Sequence, residues 1–232
     1  MKMRVVEIAS NLMVKNNAIA ARLRERFAES RTLVVNMLSS PGSGKTTLLE
    51  ETLLRLGAAY RVAALVGDQA TANDADRLAR SGAPVRQITT AAECRLDAAM
   101  VTKALDDLGG GPFDALFIEN VGNLICPAEY DLGEDLRIVL IAVTEGEDKP
   151  LKYPLAFNSA HVAVVTKVDI AEAVGYDRET ARRSIEHVHP GIPILEVSAR
   201  SGAGMDAWFS LLDERIRAKA GRGASRAIVS PA

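Results

Sequence analysis

Cysteine is scarce in this chain of 232 residues, which carries only Cys94 and Cys126. Two thiols cannot build the disulfide framework of a small secreted domain, and they suit a reducing compartment. An excess of either charge is also missing: 28 Lys and Arg stand against 30 Asp and Glu, for a net charge of −2. Such a balance provides no strong field to draw the chain to nucleic acid or to an anionic membrane surface. Long apolar runs are absent, and Ile138 to Val143 falls far short of the roughly 20 residues of a spanning helix. The start, Met1-Lys2-Met3-Arg4-Val5-Val6-Glu7, has no apolar core of a secretory signal. The expectation is a soluble cytoplasmic protein with neither nucleic acid nor membrane as a partner.

What is present is order of another kind. Short apolar, β-branched runs recur at Leu33–Leu38, Val62–Val66, Pro84–Ile88, Ala115–Ile118, Ile138–Val143, Val162–Val165 and Ile194–Val197. Most are continuously apolar, as strands covered on both faces must be. Helical patterns lie between many of them, at Thr46–Leu56, Asn73–Arg80, Ala92–Leu108 and Arg178–Val188, and a last one runs from about Gly204 to Lys219. The alternation predicts an α/β fold with a doubly wound, mostly parallel sheet. An N-terminal helical extension is expected over 1–30, with Leu12, Ile19, Leu23 and Phe27 on its apolar face. The main domain is expected over 31–220, and a flexible tail over 221–232, rich in Gly, Ala, Ser and Arg.

The first apolar run leads into Ser39-Ser40-Pro41-Gly42-Ser43-Gly44-Lys45-Thr46-Thr47, and a helical pattern follows. Strand, glycine-rich loop, then helix is the context of a phosphate-binding P-loop. Gly42 and Gly44 let successive N–H groups, including that of Ser43, turn toward one anion, and the helix start adds its positive end. Lys45 reaches the outer phosphates, Thr46 offers a hydroxyl to Mg²⁺, and Thr47 continues the cradle. Ser39 stands where the general pattern has glycine. Asp68, Glu119 and Asp169 each end or follow a strand, so all three fall at the carboxyl edge of the sheet beside this loop. Lys45, Asp68 and Glu119 are the expected catalytic set, with Thr46, Asp68 and Glu119 as direct or water-mediated partners of Mg²⁺. One acid at a strand end could be a helix cap; three on one edge read as chemistry.

Thr166-Lys167-Val168-Asp169 follows a strand and resembles the Asn/Thr-Lys-x-Asp motif of GTPases. A carboxylate there accepts from guanine N1–H and the N2 amine, a donor pair adenine lacks. Ser198-Ala199-Arg200 resembles the Ser-Ala-Lys loop that meets guanine O6. The expected ligand is therefore GTP, with Thr166, Lys167, Asp169, Ser198 and Ala199 at the base. Glu119-Asn120-Val121-Gly122 reads as a switch whose Gly122 N–H can meet the γ-phosphate. The segment from Asp68 to Asp76 reads as a second, mobile one, with Asp74 as a cap and Asp76 sensing the nucleotide.

Together with Thr144-Glu145-Gly146-Glu147-Asp148-Lys149-Pro150, these segments resemble the hydrogenase nickel-incorporation accessory GTPases over nearly the whole chain. Serine at the first P-loop position is usual in that family. The resemblance implies a GTP-hydrolysing metallochaperone of slow intrinsic turnover, a nucleotide-promoted homodimer, and partnership with other maturation factors and a nickel-enzyme client. It also implies a Ni²⁺ or Zn²⁺ site between subunits, ligated by an adjacent Cys-His pair and a later cysteine. Cys94 and Cys126 match the cysteines, but Arg95 occupies the histidine's place, and a guanidinium has no lone pair to give. Two other classes share the loop: a P-loop kinase, and a GTP-gated scaffold holding no metal.

The metal residues also have ordinary readings. Thr90-Ala91-Ala92-Glu93 fits a capping box, which predicts Cys94 in a first helical turn, on a face with Val101, Leu105 and Leu108. Pro127 places Cys126 in the loop after the Glu119 strand. His161, His187 and His189 read as structural or surface residues, and Trp208, Phe209, Leu211 and Leu212 as the docking face of the last helix. Glu145, Glu147 and Asp148 fit a solvated loop or a partner contact, and Lys149 a surface lysine or one reaching phosphate across a dimer.

Overall fold

The computed structural model describes residues 2–68, 73–90 and 93–221, with side chains from residue 12 onward. Among these, seven strands form one parallel sheet in the order β3-β2-β4-β1-β5-β6-β7. They are β1 (Leu33–Ser39), β2 (Val62–Asp68), β3 (Val85–Thr89), β4 (Ala115–Gly122), β5 (Leu136–Ala142), β6 (Val162–Thr166) and β7 (Ile194–Glu196). The helices are α1 (Lys2–Glu29), α2 (Lys45–Gly57), α3 (Asn73–Ala79), α4 (Ala98–Asp107), α8 (Arg178–Val188) and α9 (Met205–Ala220). Three short ones, α5 (Cys126–Glu129), α6 (Lys149–Lys152) and α7 (Pro154–Asn158), lie between β4 and β6. The chain winds from β1 through β2 and β3 to one edge, then through β5, β6 and β7 to the other. The winding direction reverses beside β1, which opens a crevice at its carboxyl end.

Alternate residues of each central strand explain the continuous apolar runs. Leu33, Val35 and Met37 face a core shared with Leu49 and Leu53 of α2 and with Trp208 and Leu212 of α9. Val34 faces Leu23 and Phe27 of α1 and Val101 and Leu105 of α4. Val139 and Ile141 of β5 face Phe157 of α7 and Ile185 of α8. With both faces covered, no alternation survives. The expected doubly wound sheet is borne out. Trp208 is fully buried, and its Nε1 donates to Thr52 Oγ1 at 2.8 Å, which clamps α9 on α2. Among the α1 side chains described, Ala20, Leu23 and Phe27 are buried while Leu12 is exposed.

One helix starts late. The pattern at Ala92–Leu108 becomes α4 from Ala98, with Asp97 as its cap accepting from Met100 N at 2.8 Å. The cause is Leu96, fully buried against β2, where a Cβ on Gly67 would lie 2.9 Å from its Cγ. Pinning Leu96 into that notch holds the chain off the helix. Cys94 is therefore in a bend before α4, not in a helical turn, and it shares no helical face with Val101. Between Thr90 and Glu93, Glu93 N donates to Thr90 O at 2.9 Å and Thr90 Oγ1 donates to Glu93 O at 2.8 Å. Ala91 and Ala92, Gln69 to Ala72, and the expected tail from Arg222 fall outside the described residues. Cys126 opens the one-turn helix α5 instead of lying in open loop, because Pro127 falls in the first turn, where a missing N–H costs no helical hydrogen bond.

Candidate functional site

The crevice at the end of β1 is a cavity of about 520 Å³, lined by the 39–47 loop together with Gly67, Asp68, Asp74, Arg77, Glu119, Asn120, Val121, Gly122 and Lys167. Gly44 starts α2 at φ 89°, a left-handed conformation that glycine adopts freely. Gly122 passes so close to the loop that a Cβ there would sit 3.1 Å from Pro41 Cγ and 3.2 Å from its Cα. A side chain at either position would deform the cradle.

Lys45 Nζ lies 3.7 Å from Glu119 Oε1 and donates to Ser39 Oγ at 3.3 Å. That second contact explains why serine precedes the loop: its hydroxyl seats the lysine. Thr46 Oγ1 donates to Glu119 Oε1 at 2.6 Å. Burial pushes the Lys45 ammonium below its ordinary range, against the pull of Glu119. Burial likewise pushes the Glu119 carboxyl up, against the pull of Lys45 and Thr46. Among the described residues, Glu119 Oε2 and Ser43 Oγ are buried without a hydrogen-bond partner. Buried polar atoms are costly to leave unpaired, so these two mark where a bound cation and an anion fit. Thr46, Glu119 and Asp68 offer the all-oxygen donor set that Mg²⁺ takes. Asp74 lines the cavity, whereas Asp76, expected to sense the nucleotide, is exposed on α3 and outside the lining.

A second cavity of about 220 Å³ adjoins the first and is lined by Gly44, Thr47, Leu48, Thr166, Lys167, Asp169, Ile170, Val197, Ser198, Ala199 and Arg200. Thr166 Oγ1 donates to Ser43 O at 2.5 Å, and Lys167 Nζ to Gly42 O at 2.6 Å, so the end of β6 ties down the glycine-rich loop. Lys167 holds φ 59°, an uncommon value for a side-chain-bearing residue, to lay its stem over that loop. Ser198 Oγ donates to Asp169 Oδ1 at 2.6 Å, which orients the carboxylate and leaves the other oxygen to the cavity. Every expected residue of the loop and of the 166–169 and 198–199 segments thus lines one of two joined cavities. Arg77 also lines the site, although the sequence reading passed it over. Its signal was available: it lies three residues after Asp74, on the same helical face.

The thiols meet elsewhere, after β4. Cys94 Sγ donates to Cys126 Sγ at 2.7 Å, and both side chains are half-buried. Asn123 Nδ2 donates to Cys94 O at 3.3 Å and Asn123 Oδ1 accepts from Ile125 N at 2.9 Å, binding the two loops together. The Arg95 guanidinium pairs with Glu93 at 2.9 Å and stacks 4.2 Å from the centroid of the Tyr130 ring. Among the described residues no group of three or more His, Cys, Asp or Glu gathers for a metal, so one chain offers two thiols. Two of the three histidines serve the backbone: His161 Nδ1 accepts from Arg137 N at 2.9 Å, and His189 Nδ1 meets Phe157 O at 3.0 Å, while His187 is exposed. In the acidic loop, Glu145 Oε1 accepts from Ala142 N at 2.9 Å and Oε2 holds Lys149 Nζ at 2.5 Å.

Comparison with known proteins agrees with this arrangement. The family model described as CobW/HypB/UreG, nucleotide-binding domain, matches residues 33–196. Hydrogenase maturation factor HypB of Escherichia coli (strain K12) is 47% identical over 210 residues, 90% of this chain and 72% of that one. The structure of HypB from Helicobacter pylori in complex with nickel superposes with a TM-score of 0.83 at 37% identity, covering 91% of this chain and 100% of that one. HypB from Archaeoglobus fulgidus superposes at 0.82 with 39% identity, covering 88% and 100%.

Proposed function

This chain belongs to the CobW/HypB/UreG nucleotide-binding family, and from that premise we propose that it is a GTP-hydrolysing maturation factor assisting nickel insertion into a hydrogenase. The observation that carries the reading is the pair of joined cavities, one with Lys45 and Glu119 around unpaired buried oxygens, the other with Asp169 held by Ser198. The relatives named as hydrogenase maturation factors, and the nickel complex of one of them, support the cargo and the client class. Such a role brings the chain together with other maturation factors and with the client enzyme.

Lys45, shared between Ser39 and Glu119, turns its charge to the outer phosphates when a nucleotide enters. The N–H groups of the 42–47 loop receive the phosphate oxygens, and Gly122 offers its own at the γ end. These donors, already fixed, stabilise charge on the transferring phosphoryl group while water attacks in line. Thr46, Glu119 and Asp68 would hold Mg²⁺, which when bound neutralises charge on the β- and γ-phosphates. Guanine is selected because Asp169 accepts from N1–H and the N2 amine. Turnover is slow, since no arginine finger among the described residues adds its charge to these donors.

Two thiols per chain are too few to hold Ni²⁺ or Zn²⁺ closed. A two-fold dimer brings the same patch from each partner and supplies four, a set suited to zinc and acceptable to nickel. Arg95 then offsets part of the excess negative charge. Equilibrium dialysis with Ni²⁺ and with Zn²⁺, with and without GTP and followed by sedimentation, tests this. The expected result is one ion per two chains, bound by the dimer and lost in Cys94→Ser. Equal binding by Cys94→Ser or by the monomer would overturn the shared site, and no binding at all would favour the metal-free, GTP-gated scaffold.

A further inference from the structure

Arg77 sits in the last turn of α3, where the buried Leu78 beside it anchors the helix in the core. Its Nε donates to Glu50 Oε2 at 2.7 Å, and its Nη2 donates to Thr47 Oγ1 at 3.2 Å. Thr47 and Glu50 lie three residues apart on the first turns of α2, so one guanidinium spans both. Thr47 lines both cavities and so marks their seam. A nucleotide with its base beside Asp169 and its outer phosphates at Lys45 must lay its α-phosphate across that seam. Lys45 cannot serve that group as well, because its ammonium is held at the inner end by Ser39 and Glu119.

We propose that Arg77 is the α-phosphate-recognising residue of the site, acting directly and through Thr47. By donating to Thr47 Oγ1 it occupies an acceptor position on that oxygen, which leaves the hydroxyl proton to point outward at an anion. Its own charge is held at the rim, where the side chain is 38% exposed and its partner Glu50 20%. An ion pair this exposed exchanges Glu50 for a phosphate oxygen at small cost. The group addressed is common to GTP and GDP, so the effect is on nucleotide retention and not on cleavage of the γ-phosphate.

The inference rests on the nucleotide reading above and is tested apart from it. Titrations of GTP, GDP and, by competition, guanosine are compared for wild type, Arg77→Ala, Arg77→Lys and Glu50→Gln. Arg77→Ala is expected to weaken GTP and GDP by the same factor, about tenfold or more, with guanosine little affected. In turnover the loss falls mainly on KM. Arg77→Lys recovers part of it. Glu50→Gln, which removes the competing carboxylate, tightens both nucleotides a few fold, and Glu50→Gln/Arg77→Ala abolishes that gain. If Arg77 only braced α3 against α2, Glu50→Gln would lose affinity as Arg77→Ala does and guanosine would fall too; that pattern overturns the proposal. A loss confined to GTP, with GDP unaffected, overturns it as well. Parallel titrations with ATP and ADP separate the two readings: preference for ATP sinks the guanine assignment, while the equal loss on tri- and diphosphate still tests Arg77.

Discussion

Lys45→Ala is expected to lower GTP hydrolysis by about a hundredfold or more, the scale on which a fixed charge stabiliser acts in a water-poor site. Lys45 is buried, seated on Ser39 Oγ, and 3.7 Å from the Glu119 carboxylate. Its removal takes away the ammonium proposed to meet the outer phosphates and leaves Glu119 buried without its counter-charge. Burial already pushes the Glu119 carboxyl up with the lysine present, so in the variant it takes up a proton more readily and the fold is kept. Phosphate release under saturating GTP and Mg²⁺, beside a thermal melt, is the measurement. The melt should shift little while turnover collapses. Wild-type turnover in Lys45→Ala would place the chemistry outside this cavity.

The second large effect is expected at the base. Asp169→Asn replaces a carboxylate acceptor by a group that presents an amide donor to guanine's own N–H donors. Two charge-assisted bonds of roughly 1.5–3 kcal/mol each are at stake, so GTP affinity should fall by about a hundredfold or more. XTP, which carries an acceptor oxygen where guanine carries the amine, should gain at the same time. Ser198 Oγ still finds an acceptor in the asparagine carbonyl, so the 198–201 turn, in which Ser201 N donates to Ser198 Oγ at 3.1 Å, is retained. Titration of GTP, XTP and ATP against both proteins gives the comparison. A wild type that binds ATP more tightly than GTP, or an Asp169→Asn variant that binds GTP as well as wild type does, would remove guanine recognition from this cavity.

The sequence by itself determined the sheet and the loop. Strands buried on both faces must be continuously apolar, so β1, β2, β4, β5 and β6 stand out as runs that nothing else in a balanced, charged chain imitates. The glycine-rich loop is equally local: left-handed φ at Gly42 and Gly44, then a helix start, are conditions met within a few residues. Short helices such as α6 and α7 were not legible, because a single turn bears no period.

What only the tertiary structure decided are the pairings across the sheet's edge. Glu119 meets Lys45 and Thr46 because β4 lies beside β1 in register, with Met37 opposite Glu119. The register follows from strand packing that no local pattern records. Thr166 came to bind the backbone of Ser43 because β6 ends level with the loop. Arg77 faces the seam because Leu78 anchors α3 on α2. Cys94 lies against Cys126 because Leu96, filling the space a side chain at Gly67 would take, stops α4 from starting early and turns the preceding loop toward the end of β4. Helix propensity from Ala92 onward favoured a different path. Burying one leucine in a notch cut by a distant glycine outweighed it, because such burial is worth about 1.5–3 kcal/mol whereas propensity differences are tenths per residue.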